Sequence, residues 1–173
     1  MINRKVPTWL FVVILGAAVF AFTMHTDLFL YSLGKNVGDS MDPTLKDGQF
    51  ILLENRRLHK IERGDIVGVH AAIPEDWIYD DGDPTRIVHL DIVKRVIGLP
   101  GETIAIRKGK VYINGELLPE PYITHQDTVT YTATVYLGPN QYWIMGDNRP
   151  VSLDSSAFGP VNIDNIFAVV IRY

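Results

Sequence analysis

The 173-residue chain has no cysteine. That excludes disulfide stapling, thiolate catalysis and cysteine-ligated zinc, while leaving the redox compartment open. Basic residues are also in deficit: 16 Lys and Arg stand against 20 Asp and Glu, for a formal charge of −4. With no run of Lys or Arg, the chain lacks the electrostatic footprint of a nucleic-acid binder. Beyond residue 37 it lacks any long 3.6-residue periodicity, any internal repeat and any low-complexity linker. Glu75, Asp76, Asp80, Asp81 and Asp83 form an acidic stretch, but their spacing is not that of an EF-hand and no helical pattern flanks them. They read as a solvated loop, and no metal or organic cofactor is expected.

What the chain does have is one long apolar run. From Val6 to Met24 there is no charge for nineteen residues, with Arg4 and Lys5 before it and His25 and Asp27 after it. A bilayer core of about 30 Å takes about 20 helical residues, so the run can just span. The charge asymmetry places residues 1–5 in the cytoplasm, a membrane anchor at 6–24, a juxtamembrane segment at 25–36 and residues 37–173 outside the cytoplasm. Leu28–Leu33 continues apolar and is expected at the membrane surface. A cleavable secretory signal is the alternative. The run is long for a signal core and no Ala-x-Ala follows it, although Ser32-Leu33-Gly34 is a small-x-small sequence.

From residue 37 onward, short apolar stretches alternate with turns. Strands are expected at Phe50–Leu53, Ile66–His70, Ile87–Ile97, Thr103–Ile106, Lys110–Ile113, Val129–Tyr136, Tyr142–Met145 and Ile166–Ile171. Asn114-Gly115 between two apolar runs predicts a type I′ hairpin. The fold class is mostly β.

Three stretches carry chemistry. Gly38-Asp39-Ser40-Met41-Asp42-Pro43-Thr44-Leu45 places one of only five serines on a turn built from stiff and permissive residues. Asp91-Ile92-Val93-Lys94-Arg95-Val96-Ile97 is a strand that puts Lys94 on the same face as Ile92 and Val96. If that face is inward, desolvation lowers the lysine's pKa, and a neutral amine can take a proton from a serine hydroxyl. Gly146-Asp147-Asn148-Arg149-Pro150-Val151-Ser152-Leu153-Asp154 is dense in small and polar groups and could line a site. There Ser152 would hydrogen-bond a lysine amine, while Asp147 or Asp154 held the loop through Arg149 or backbone amides. His70 and His89 lie in strand-like segments and offer a histidine-based alternative, but neither belongs to a recognisable triad motif.

These stretches, taken in order behind an apolar N-terminus and with Arg63-Gly64-Asp65-Ile66-Val67 between the first two, resemble the bacterial type I signal peptidases. These are the membrane-bound Ser/Lys leader peptidases of S26 type. The resemblance implies a signal-peptidase-like β-sandwich catalytic domain with a small β-hairpin extension, preceded by one transmembrane helix. It implies Ser40 as nucleophile, Lys94 as general base, Ser152 as the serine orienting the lysine and Asp154 as a supporting aspartate. Ser40 and Gly38 would form the oxyanion hole, Gly38 through backbone alone. By motif position, Met41, Leu45, Ile92 and Val93 would line substrate pockets. The implied reaction is removal of signal peptides from exported preproteins at the membrane, after small residues of Ala-x-Ala type. The expected partners are those preproteins and the lipid bilayer. A specialised conjugation-type relative and a non-catalytic membrane-tethered β-domain are the rival readings. One position departs from the family pattern: Ser156 stands where an arginine usually supports the box's aspartate, and Arg149 is the candidate substitute.

Overall fold

The computed structural model of the chain describes residues 30–123 and 133–173. Among these, the strands are β1 (Tyr31–Lys35), β2 (Phe50–Asn55), β3 (Ile66–Pro74), β4 (Ile87–Gly98), β5 (Thr103–Arg107) and β6 (Lys110–Ile113). They continue with β7 (Glu116–Leu117), β8 (Ala133–Tyr136), β9 (Gln141–Met145), β10 (Val161–Asn162) and β11 (Ile166–Arg172). Seven of them form one sheet in the order β1-β2-β11-β3-β4-β9-β10, and four form a second in the order β7-β6-β5-β8. Each strand pairing among the described residues is antiparallel, so the fold is mostly β, as the alternation of short apolar runs and turns implies.

The apolar residues sort by strand parity into three packed clusters. Val67, Val69, Val96, Tyr142 and Ile144 bury one face of the large sheet with Ile166 and Val169. Ile51, Leu53, Ile66, Ala168 and Val170 bury another against Met41 and Leu45 from the serine turn. Ile97, Trp143 and Met145 point the other way, into the core of the small sheet with Ile104, Ile106, Val111 and Leu137. Strands β4 and β9 therefore carry side chains of both cores, which explains the consecutive apolar residues Val96-Ile97 and Tyr142–Met145.

Two features differ from the sequence reading. Tyr31–Lys35, assigned to the juxtamembrane segment, is an edge strand paired residue for residue with β2 from Tyr31↔Glu54 to Lys35↔Phe50. Its partner lies well downstream in the chain, and no local pattern marks the pairing. The extension is a four-stranded sheet rather than a hairpin. The Asn114-Gly115 turn is its tip, with φ of 52° and 91° as a type I′ turn requires. The strand expected at Val129–Tyr136 is seen over Ala133–Tyr136, its first part lying outside the described residues, as does the expected anchor. Among the described residues no helix is long and apolar enough to cross a membrane.

The hairpin β3–β4 carries Lys94 and extends beyond the body of the sheet. Its strands pair continuously from Ile66↔Arg95 to Pro74↔Ile87. Strand β11 reaches only to Val69 on β3, and β9 reaches only Arg95 on β4. The distal half is thus a two-stranded ribbon projecting from the sheet, with the outer edge of Ile87–Lys94 unpaired among the described residues.

Where β4 enters the small sheet, Gly98 leaves no room for a side chain: a Cβ there would sit 2.4 Å from Ile104 Cδ1 and 2.7 Å from Leu137 Cδ1. Gly98→Val is expected to destabilise the fold by about 1–3 kcal/mol through overpacking, read from the midpoint of chemical unfolding.

Candidate active site

The serine turn is a closed loop. Buried Asn36 ties its two ends: its amide donates to Gln49 O at 2.8 Å, its carbonyl accepts from Gly48 N at 2.8 Å, and its Nδ2 donates to Lys46 O at 3.0 Å. Inside the loop, Asp42 N donates to Asp39 O and Leu45 N to Met41 O. Met41 and Leu45 are fully buried and root the turn in the core, so Ser40 is held at the rim.

Lys94 comes to that rim from β4. Its Nζ lies 2.8 Å from Ser40 Oγ and 3.0 Å from the Val93 carbonyl oxygen. Parity places Lys94 with Ile92 and Val96, which pack in the core, and it is only 4% exposed. Burial pushes the ammonium down from an ordinary 10.5 to about 8, against a smaller upward pull from the Asp154 carboxylate. The net shift corresponds to about 3 kcal/mol of unfavourable free energy when the group is charged. Because the folded-state pKa lies below the unfolded value, this penalty is fully present below pH 8 and is relieved as pH rises toward 10.5.

The neighbouring cation is treated in the opposite way. Arg95 Nε donates to Asp147 Oδ1 at 2.8 Å and Nη2 to Oδ2 at 2.6 Å, a bidentate pair in which Asp147 is fully buried. The Thr44 hydroxyl donates to the same Asp147 oxygen, and Arg95 Nη1 reaches Gly64 O at 2.8 Å. Asp147 does not touch Lys94. It joins the strand that carries the lysine to the turn that carries the serine.

The loop after β9 closes the site from the third side. Asn148 N donates to Ser40 O at 3.0 Å and Asn148 Nδ2 to Asp39 O at 3.1 Å. Asp154 accepts from Gly146 N at 2.9 Å and from both the amide and the hydroxyl of Ser156. Ser156 therefore supplies the support that the resemblance gives to an arginine. Arg149 does not pair with Asp154; it donates to Gly146 O at 3.0 Å and forms an ion pair with Glu120. Ser152 Oγ is buried without a hydrogen-bond partner among the described residues. Gly146 is where the elements converge: a Cβ there would lie 2.3 Å from Ser152 Oγ and 2.4 Å from the Ser40 carbonyl oxygen, so only glycine fits.

Of the two residues expected at the oxyanion hole, Gly38 has its amide engaged, donating to Asp47 Oδ1 at 2.8 Å. A groove of about 290 Å³ runs from Gly38, Asp39, Ser40 and Lys94 past Ile92, Leu90, Ile73 and Trp77, with Val151 and Leu153 beside it. Of the four residues expected to line substrate pockets, Ile92 lies along this groove. Met41 and Leu45 have no exposed surface, and Val93, one residue out of register with Ile92, packs on their cluster instead. His70 pairs with Asp91 at 2.6 Å and stacks on Phe167 at 4.5 Å, lining a separate cavity with Arg56, Arg57 and Asp164; His89 is exposed. Neither histidine lines the groove that holds Ser40. Sequence reasoning missed Asn36, Thr44, Arg95 and Glu120. A buried guanidinium keeps its charge and needs a carboxylate, so Arg95 was the available signal for Asp147's role.

With this geometry, comparison with known proteins is decisive. The family described as "Signal peptidase, peptidase S26" matches residues 7–173. The chain belongs to this family. It is therefore a peptidase: its relatives are named signal peptidase I, a serine endopeptidase of the S26 family. It is 34% identical over 152 residues to signal peptidase IB of Staphylococcus aureus (strain Mu50), covering 77% of this chain and 72% of the relative. To signal peptidase I V of Bacillus subtilis it is 33% identical over 148 residues, covering 77% and 79%. A crystal structure of a signal peptidase I from Enterococcus faecalis is 30% identical, with a TM-score of 0.47 over 65% of this chain and 97% of that one.

The two buried cations predict opposite stability effects. Asp147→Asn leaves Arg95 without its carboxylate and is expected to cost about 3–5 kcal/mol. Lys94→Met removes a desolvated cation and is expected to leave the fold at least as stable as the parent at pH 6. Chemical unfolding of both variants at that pH checks the contrast.

Proposed function

We propose that this chain is a membrane-anchored endopeptidase that removes N-terminal signal peptides from exported preproteins, with Ser40 as nucleophile and Lys94 as general base. The observation that carries the reading is the 2.8 Å approach of a desolvated lysine amine to a serine hydroxyl at the end of an open groove. Membership of the signal peptidase family supports the substrate class.

In the neutral state the Lys94 amine accepts the Ser40 proton as Oγ attacks the scissile carbonyl carbon. The Ser40 backbone amide, which makes no hydrogen bond among the described residues, is the donor proposed for the developing oxyanion; Gly38 would join it only by releasing Asp47. The C–N bond breaks as Lys94 returns the proton to the leaving amine. Water, deprotonated by the same amine, then hydrolyses the acyl-enzyme. Asp154 biases Lys94 toward its charged form, and Ser152, buried beside the Ser40 carbonyl with its hydroxyl unspent, is assigned to orient the amine as the reaction proceeds. The substrate lies extended along the unpaired edge of β4, with small residues at −1 and −3 beside Ser40 and Ile92. The uncharged run at 6–24 anchors the chain so that residues 37–173 meet the cleavage site outside the cytoplasm.

In detergent, the full chain is expected to cut an Ala-x-Ala preprotein after the second alanine. Ser40→Ala and Lys94→Ala, both folded, are each expected to lose about a thousandfold or more in kcat. Since only the neutral amine is active, kcat/KM should rise with pH through about 8. Asp154→Asn removes the upward pull on Lys94 and should move that limb to lower pH. Full activity in Lys94→Ala would return the base to a histidine, and no cleavage by the intact chain would favour a specialised-substrate or binding-only protein.

A further inference from the structure

Beyond the residues around Ser40, the groove continues onto the projecting ribbon. Lys94, Ile92 and Leu90 alternate along one face of β4, and Ile73 of β3 and Trp77 of the short 3-10 turn Glu75–Trp77 extend the apolar lining to the ribbon's end. Trp77 is 45% exposed, a large aromatic left open at the far end of a groove. At about 3.3 Å per residue, Lys94 to Leu90 spans about 13 Å, and Ile73, opposite Val88, lies about two residues further on. An extended chain laid on the same edge advances at the same rate. A substrate whose scissile bond sits at Ser40 therefore meets Ile73 and Trp77 about five to seven residues away.

Resting on the function proposed above, we propose that Trp77 and the end of the β3–β4 ribbon form a specificity subsite for an apolar side chain about five to seven residues before the cut. The direction follows from substrate chemistry. Signal peptides share an apolar core ahead of their small-residue cleavage site, whereas the exported chains that follow share no common composition. An apolar subsite serving many substrates recognises the side they have in common. The acids around it sharpen the choice: Asp76, Asp80, Asp81 and Asp83 sit on the exposed loop that carries Trp77, and they disfavour an acidic residue brought to the same place. Trp77 contacts neither Ser40 nor Lys94 through any hydrogen bond, so its contribution is to substrate binding rather than to the reacting atoms.

The test uses the full chain in detergent and an Ala-x-Ala preprotein in which each residue from −8 to −4, and each from +2 to +5, is in turn Leu or Asn, a neutral pair on which the loop acids act alike. The parent is expected to favour Leu over Asn by about tenfold in kcat/KM, mainly through KM, at one or two positions between −7 and −5, and to be indifferent on the + side. Trp77→Ala should reduce that preference to less than about twofold by raising KM for the Leu series, and Trp77→Phe should restore most of it. A preference that survives Trp77→Ala overturns the proposal, as does one that lies on the + side. Failure to cut any substrate overturns the proposed function and this subsite with it, whereas cleavage without Trp77-dependent preference overturns the subsite alone.

Discussion

Two cations are buried side by side on one strand, and only one of them has a carboxylate within hydrogen-bonding reach. Arg95 is held by both oxygens of Asp147 and keeps its charge. Lys94 meets only a hydroxyl and a carbonyl oxygen, with the Asp154 carboxylate acting on it through space. Burying an ammonium without a paired anion favours its neutral form, and a neutral amine is a base. The chemistry proposed for the chain follows from that inequality between neighbours. In that proposal the paired arginine supplies the rigidity and the unpaired lysine the reactivity.

The rest of the structure keeps those two residues where they are. Asp147 binds Arg95 and Thr44 together, which locks the serine turn to β4. Asn148 holds the carbonyl of Ser40 itself, and Asn36 closes the turn at its base. Behind them, Glu120 pairs with Arg149, and Tyr122 donates to Glu120 while lying under the Arg95 guanidinium at 4.2 Å. The segment that leaves β7 of the small sheet thereby packs on both arginines. The small sheet is a buttress to the active site as well as an extension of the fold.

The mostly-β class was legible because apolar pairs alternate with polar residues between strong turn signals, as at Asn114-Gly115. The nearness of Ser40 to Lys94 was legible because few residues suit nucleophile and base in a chain without cysteine, and because their flanking motifs are specific. What could not be read locally was anything fixed by a distant partner. Strand β1 forms because Gly34 and its neighbours lie against β2, and Arg149 turns to Glu120 rather than Asp154 because the small sheet delivers that carboxylate. Met41, Leu45 and Val93 were expected at the substrate, yet side-chain parity sends them into the core beneath the turn while Ile92 takes the groove. Ser156 shows the same limit. Its amide and hydroxyl donate to Asp154, which caps the short helix Ser155–Phe158 that begins at once after it.

The most direct test of the account is titration of the Lys94 side chain itself, followed by NMR of the full chain with labelled lysine and assigned by comparison with Lys94→Met. The account predicts one lysine resonance with a midpoint near 8, absent from the variant, while the other lysines titrate in their ordinary range. A Lys94 that titrates near 10.5 with the rest would contradict it, because the neutral amine that takes the serine's proton would then be scarce at pH 8, where the account expects it to make up about half.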